Sequence, residues 1–245
     1  DDGIFLTVLG FGMGNYKDSK MESIADHGNG NYFYIDNILE AKKTLVDELD
    51  GTLYAIAKDV KIQVEFNPEK VQGYRLIGYE NRMLKKEDFN DDKKDAGELG
   101  AGHTVTALYE IIPTGIKSSF MGSVDDLRFQ KKEITKIEPQ YSDELMVIKF
   151  RYKEPKESVS KLIVHTLKDK GVKLNASSEN FRFSAAIAEF GMVLRNSEFK
   201  GTSTYESAIE LATNSKGIDQ EGYRAEFVKL IKAASLLSPT GRIED

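Results

Sequence analysis

The spacing of hydrophobic and polar positions changes along the chain and predicts three kinds of structure in succession. Residues 3–14 form an almost continuous apolar run that ends at glycines, which is typical of a strand buried on both faces of a parallel sheet. A second apolar run, residues 31–36, follows about one helix later. Two strands do not make a stable doubly wound sheet, so we expect the rest of this sheet to be missing or replaced by another surface.

Helix signals surround these two runs. Ser19 with Glu22 has the form of a capping box, and Asn37 with Glu40 repeats the start signal before an apolar stripe of helical period that reaches Leu53. The opening part of the chain, residues 1–57, therefore has the alternating order of strands and helices that predicts an α/β unit.

The middle of the chain alternates with a period of two. An apolar residue occupies every second position from 60 to 66, as Val60, Ile62, Val64 and Phe66, and polar residues lie between them, beginning with Lys61. This pattern predicts a half-buried strand. Residues 74–79, 104–112, 145–152 and 161–166 are further strand candidates, and many strands with few helices favour a β-sandwich over residues 58–170.

The last part of the chain, residues 171–245, has helical spacing again. Apolar residues recur with a helical period after position 181, Ser203 with Glu206 has the form of a capping box, and Asp219 precedes a third stripe. The predicted class is therefore α+β: the remnant of an α/β domain, then a β-sandwich-like domain, then a small helical segment packed on it.

The order of these residues resembles the C-terminal part of a bacterial von Willebrand factor type A domain-containing protein. The resemblance to the end of the type A domain lies in four stretches, residues 3–12, 18–25, 28–36 and 37–57. The resemblance to the uncharacterised domain that follows it in that family lies in residues 57–68, 74–82, 88–92 and 100–110. The resemblance is specific to about Pro113 and looser beyond it.

The resemblance implies a divalent metal that this chain does not hold. Type A domains bind Mg²⁺ or Ca²⁺ through an Asp-x-Ser-x-Ser loop, a Thr and an Asp, all before the strand that opens this sequence, and no Asp here is followed by x-Ser. We therefore expect the metal site in a missing N-terminal portion and none in this truncated piece. The family setting also favours the periplasm or cell envelope, although the residues themselves leave the compartment unknown.

Composition excludes several classes of function. A net charge of −6 argues against a nucleic-acid surface, which needs clustered excess Lys and Arg. The chain has no cysteine, which excludes disulfides, thiolate nucleophiles and thiolate metal ligands. Its longest apolar run is about a dozen residues, too short to span a bilayer.

An acidic stretch, residues 88–98, is the best local candidate for a metal site. Asp88, Asn90 and Asp92 imitate the first half of a calcium loop, in which several oxygen side chains lie on a tight turn. However, Lys93 stands where the loop needs a glycine, and Leu99 stands where it needs a bidentate Glu. We therefore predict a solvated loop with no tight divalent site, and keep calcium binding as an alternative.

No pattern of catalytic residues is evident. His27, His103 and His165 are far apart in sequence and show no metal-ligand spacing, so we expect structural roles for all three. No serine lies in a Gly-x-Ser-x-Gly elbow. We predict no catalytic residues and no cofactor, and keep a hydrolase with an unrecognised site as the second alternative.

These observations favour a non-enzymatic protein-interaction module. Its protein partners cannot be named from the sequence. The apolar residues 4–11 would be an aggregation hazard if their strand edge stayed open, and burying five or six such side chains contributes ~1.5 to 3 kcal/mol each. We expect them to pack on the rest of the chain or, preferably, to pair with a second copy in a homodimer.

Overall fold

The computed structural model describes residues 6–12, 14, 16–28, 30–79, 83–94, 96–121 and 137–238, and it mixes helices and strands as the pattern predicts. The described strands are β1 (Val8–Phe11), β2 (Tyr32–Ile35), β3 (Ala55–Phe66), β4 (Val71–Ile77), β5 (Gly97–Gly100), β6 (Leu108–Pro113), β7 (Glu144–Lys153) and β8 (Lys161–Lys168). The described α-helices are α1 (Asp18–His27), α2 (Ile38–Lys42), α3 (Leu49–Leu53), α4 (Glu179–Leu194), α5 (Tyr205–Asn214) and α6 (Tyr223–Leu237).

Strands β1 and β2 form a two-stranded parallel sheet, in register from Val8 opposite Tyr32 to Phe11 opposite Ile35. The strand is shorter than the predicted apolar run, and residues 3–5 and 13 of that run lie outside the described part of the chain. Leu6 is 50% exposed and Phe11 is 60% exposed. The opening strand is thus paired on one side by β2, while its predicted pairing with a second copy stays a prediction.

Of the two helix starts predicted near this sheet, the one at Asn37 is confirmed and the one at Ser19 is not. The Asn37 side chain accepts hydrogen bonds from the backbone N–H groups of Leu39 and Glu40, at 2.8 and 3.0 Å, which confirms the predicted start of α2. The capping box predicted at Ser19 is wrong, because the N-cap residue of α1 is Lys17, two residues earlier, and it makes no side-chain capping bond.

The apolar stripe that follows Asn37 does not form one continuous helix. A π-helical segment, Lys43–Asp47, separates α2 from α3. Thr44 of this segment is 2% exposed, and its hydroxyl has no hydrogen-bond partner among the described residues. A π-helical turn adds one residue per turn, so side chains after it leave the stripe that a uniform α-helix would bury.

Strand β3 lies inside a four-stranded sheet with the order β5-β3-β7-β8. Strands β3 and β7 are antiparallel, from Lys58 opposite Lys153 to Phe66 opposite Met146, with an irregularity between Lys58 and Lys61. Asp59 lies within that irregularity and has a φ of 51°, a left-handed value that is uncommon for a residue with a side chain. Because of this extra residue, the two faces of β3 are not set by simple alternation from its first residue.

The alternation predicted for β3 is wrong at its centre. Lys61 is 3% exposed, whereas the neighbouring Ile62 is 50% exposed. The face that carries Lys61 is covered by the polar stretch near residue 90, which supplies hydrogen-bond acceptors to the lysine. Burial on this strand therefore follows the position of acceptors as well as hydrophobicity.

A separate two-stranded antiparallel sheet joins β4 to β6, from Val71 opposite Pro113 to Ile77 opposite Leu108. Helices α4, α5 and α6 share a core whose members are all aromatic or aliphatic: Phe183, Ala186, Phe190, Ala208, Ala212, Val228 and Ile231. The start of α5 differs from the prediction by one residue, since its capping box uses Thr204 and Ser207.

The chain divides into two compact units, each made of three stretches of the sequence. Unit 1 contains residues 1–66, 80–105 and 146–167, and unit 2 contains residues 67–79, 106–145 and 168–245. The division at 57 and 170, which follows the order of elements along the chain, stays a prediction. In the described part of the chain no helix is long and apolar enough to cross a membrane.

Candidate functional site

The acidic stretch predicted as a calcium-like loop lies against the polar face of β3 in unit 1. A 3₁₀ turn, Lys86–Asn90, begins it, and Phe89 anchors the turn with only 4% exposure. The Lys61 ammonium donates to the backbone carbonyl oxygens of Asp88 and Asp91, at 3.2 and 2.5 Å. A lysine of the sheet thus occupies two backbone carbonyl oxygens of the stretch.

A second buried lysine, Lys153, contacts the same stretch at Asp92. Lys153 on β7 is 7% exposed, and its ammonium donates to Asp59 Oδ2 at 2.6 Å and to the backbone carbonyl oxygen of Asp92 at 2.7 Å. The carboxylate of Asp59 supplies the opposite charge that a buried ammonium requires.

An arginine completes this arrangement. Arg151 donates to Asn90 Oδ1 at 3.2 Å and to Ser160 Oγ at 2.6 Å, and its guanidinium lies 3.6 Å from Asp92 Oδ1. It also lies over the Phe89 ring, 5.7 Å from the centroid. We call Lys61, Arg151 and Lys153 the cationic clamp, because together they bind residues 88–92 to the sheet.

The Asp92 carboxyl is held in its charged form. A hydrogen bond from the Ser160 side chain lowers its pKa most, burial opposes this, and the charges of Arg151 and Lys153 lower the pKa further. Each of the predicted candidates lies near a cation of the clamp: Lys61 donates to the Asp88 backbone carbonyl oxygen, and Arg151 donates to Asn90 and lies near the Asp92 carboxylate. Among the described residues, no group of three or more His, Asp or Glu side chains could hold a metal ion.

The three histidines have different surroundings. His27 Nδ1 lies 2.7 Å from the backbone carbonyl oxygen of Ser23, at the end of α1. His103 lines a polar cavity of about 200 Å³ in unit 1, to which Glu22, Asp26 and Glu48 also contribute. His165 lies on β8 with its side chain exposed. The polar cavity is the nearest arrangement to a catalytic cleft, but all four of these side chains are exposed there, which leaves them well solvated.

A larger and mainly apolar groove lies in unit 2. Its volume is about 530 Å³, and its walls come from the ends of β4 and β6 and from one side of α4. Its lining residues are Ile77, Gly78, Thr106, Leu108, Ser184, Ile187, Ala188, Gly191, Leu194 and Arg195. We call it the α4 groove.

The α4 groove keeps large apolar side chains in contact with solvent. Ile187 is 46% exposed and Leu194 is 57% exposed on the helix side. Between them, a Cβ atom placed on Gly191 would meet no atom within 4 Å, so the floor of the groove has free space. The groove is large enough for several side chains of a ligand, within the range of small-molecule and peptide sites.

The wall on the sheet side is set by an unusual backbone. Gly78 and Tyr79 both have positive φ values, 79° and 65°, so the chain turns sharply as β4 ends. The Tyr79 hydroxyl donates to the backbone carbonyl oxygen of Thr106 at 2.7 Å and fixes this turn to the residues before β6. Sequence reasoning missed the α4 groove, and the only signal for it was Gly78 at the end of a predicted strand.

Comparison with known proteins places the chain in a family. The family model described as "Uncharacterized protein YfbK, C-terminal" matches residues 51–237. The protein named "Uncharacterized protein YfbK" from Escherichia coli (strain K12) is 43% identical over 236 residues, which cover 96% of this chain and 39% of that relative. The chain thus spans about two fifths of the length of this relative.

Among solved structures, the crystal structure of the ArnB paralog VWA2 from Sulfolobus acidocaldarius aligns with a TM-score of 0.43 and 13% identity, over 98% of this chain and 57% of that one. The similarity expected to an uncharacterised bacterial domain is confirmed by the family match, while the cell-envelope setting and the β-sandwich stay predictions. The extent of the match, residues 51–237, shows that this chain belongs to the YfbK C-terminal family.

Proposed function

We propose that this chain is a non-enzymatic protein-interaction module and that the α4 groove is its docking site. The observation that carries the proposal is the exposure of Ile187 and Leu194 beside an open apolar floor. Exposed apolar surface rimmed by polar groups is typical of sites that bind another protein.

The shape of the groove favours an amphipathic helix of the partner. Ser184, Ala188 and Gly191 follow one another at spacings of four and three residues, so they form a single line along α4. Arg195, the C-cap residue, continues this line four residues further on. From the first to the last this line is roughly 17 Å long at 1.5 Å per residue, which equals about three helical turns. Small residues along such a line let a second helix approach closely, and the larger Ile187 and Leu194 flank it.

Cross-linking from inside the groove tests this proposal. A photoreactive amino acid at Ile187, introduced into the protein in cells that express it, should capture one predominant partner, and mass spectrometry should map the linked peptide to an amphipathic helix. A synthetic peptide of that mapped segment is then titrated by fluorescence anisotropy. Leu194→Glu should weaken its binding about tenfold or more, because it places a charge on a wall that the ligand desolvates.

Leu230→Glu on α6 is the matched control. Leu230 is 56% exposed, almost the same fraction as Leu194, but it lies outside the α4 groove. It should change peptide affinity less than about twofold, in the range of ordinary surface substitutions. A linked segment without helical amphipathicity, or equal effects of both substitutions, would contradict the proposal.

We extend the proposal to the whole protein on the basis of the resemblance to type A domain proteins. In this extension, Mg²⁺ or Ca²⁺ is bound by residues outside the present sequence, and the protein acts at the bacterial cell envelope. Fractionation of cells that carry the full-length protein, with metal analysis of the purified material, tests both points. Recovery only from the cytosol, or purification without a divalent metal after metal loading, would count against the extension.

A further inference from the structure

Strand β8 is the last strand of its sheet among the described residues, and its side chains are open to solvent along its whole length. All eight of its residues are exposed. Four of them are large and apolar, with exposed fractions of 49% for Leu162, 53% for Ile163, 53% for Val164 and 38% for Leu167. An edge strand that is long, regular and apolar on both faces is a template for another strand.

We propose that β8 pairs with β8 of a second copy of this chain, antiparallel and centred on His165. A two-fold axis perpendicular to the sheet makes a residue face its own copy and keeps each side chain on its own face. With His165 on the axis, Ile163 faces Leu167 of the second copy, and Leu167 faces Ile163 of the second copy. Cross-strand apolar pairs of this kind are the units that stabilise antiparallel sheets.

Charge complementarity supports this register. Lys161 would face Asp169 of the second copy at each end of the paired strands. The residues just before β8 include Glu154, Lys156 and Glu157, a net charge of −1, and those just after it include Asp169, Lys170 and Lys173, a net charge of +1. Antiparallel pairing brings the acidic end of one strand to the basic end of the other.

The lysines of β8 do not prevent this pairing as edge lysines commonly do. Lys161 is bonded to Glu154 and lies 3.5 Å from Glu157, and Lys168 Nζ lies 2.5 Å from Asp143 Oδ2. Each ammonium is thus neutralised within its own chain. Both registers place one lysine opposite a leucine: Lys168 faces Leu162 with His165 on the axis, and Lys161 faces Leu167 with Val164 on the axis. Only the first register also places Lys161 opposite an acid, so we favour the register centred on His165.

The absence of cysteine from the sequence allows a direct test by cross-linking. In the proposed pair, His165→Cys places two cysteines opposite each other with Cα atoms ~4.5 to 5.5 Å apart, within the range of a disulfide. Mild oxidation of the purified chain should then give a reducible dimer on a denaturing gel. Leu162→Cys is the control, because its two copies would be six residues apart along the strands, about 20 Å.

Solution measurements give a second readout. Light scattering of the wild-type chain should show a weight-average mass that rises toward twice 27.5 kDa with concentration. His165→Lys should raise the dimer dissociation constant about tenfold by placing like charges opposite each other, and His165→Val should not raise it.

Two results would overturn the proposal. One is equal cross-linking of His165→Cys and Leu162→Cys. The other is a dimer in light scattering that gives no His165→Cys disulfide, which would assign the contact to another edge, such as β1, or to another surface.

Discussion

The buried ammonium of Lys61 makes the sharpest prediction about stability. Lys61→Met removes the charge and keeps an unbranched side chain of similar length, so the strand keeps most of its packing. The carbonyl oxygens of Asp88 and Asp91 lose their donor, at 3.2 and 2.5 Å in the wild-type protein. We expect the stretch that contains them to detach from β3 and the chain to lose stability.

The magnitude follows from two opposing effects. Hydrogen bonds to a charged group contribute about 1.5 to 3 kcal/mol each, so two of them suggest a loss of about 3 to 6 kcal/mol. Removing a buried charge recovers part of the desolvation penalty that Lys61 suffers at 3% exposure. The net loss in the free energy of unfolding should therefore be about 2 to 4 kcal/mol.

Urea unfolding measures this loss, and hydrogen exchange locates it. Lys149→Met is the matched control on the same strand pair, because Lys149 forms a partly exposed ion pair with Glu65 at 3.4 Å and should lose less than about 1 kcal/mol. Backbone amides of residues 86–94 should exchange faster in Lys61→Met and at the wild-type rate in Lys149→Met. Equal losses for the two variants, or unchanged exchange over residues 86–94, would refute the reasoning.

Two further predictions concern acid and calcium. The Asp219 side chain is 4% exposed, and this burial raises its pKa. Hydrogen bonds from the backbone N–H groups of Arg224 and Ala225, together with the nearby charges of Lys216 and Arg224, outweigh this effect and lower the pKa on balance. A carboxyl group with a lowered pKa stabilises the folded state at pH values above its unfolded-state pKa of about 3.9, and this stabilisation is lost as the pH falls through the folded-state pKa. Asp219→Asn should therefore reduce the loss of stability below about pH 4. Thermal melts from about pH 2 to 7 measure this effect. Calorimetric titration with Ca²⁺ should give no dissociation constant below about 10 μM, the sensor range, and Asp88→Ala with Asp92→Ala should leave the titration unchanged; a tight isotherm that this double substitution removes would establish the calcium alternative.

The features that could be predicted from the sequence are the ones that neighbouring residues decide. Asn37 caps α2 because its side chain reaches backbone groups two and three residues ahead. The runs that became β2 and β3 were recognisable because β-branched and aromatic residues repeat within a few positions. The helical spacing after residue 181 also predicted α4. Its core-facing side was not predicted, because that side is formed by Phe183, Ala186 and Phe190, while Phe181 and Ile187 of the apolar stripe are 49% and 46% exposed.

The features that could not be predicted depend on partners far along the chain. Lys61 looked like a solvent-facing residue because its acceptors lie 27 and 30 positions away. The α4 groove has one wall near residue 78, a second near 107 and a third on α4, so no local pattern contains it. The irregularity at Asp59 changes the faces of β3 by one residue, and a period of two in the sequence cannot show where such a residue is inserted.

The acidic stretch shows why an oxygen-rich sequence is a weak signal for a metal. Residues 86–94 combine four acids with three lysines, and the sheet face beneath them adds the three cations of the cationic clamp. A divalent ion that bound the backbone carbonyl oxygens of Asp88 or Asp92 would have to displace an ammonium that already donates to them, and it would meet repulsion from the remaining cations. The same oxygens therefore have a structural use that requires no ligand: they accept hydrogen bonds from buried basic residues and hold a long polar connection against the sheet. Whether such a stretch binds a metal ion or packs on the sheet therefore depends on the charge of the strands opposite it, and not on the stretch alone.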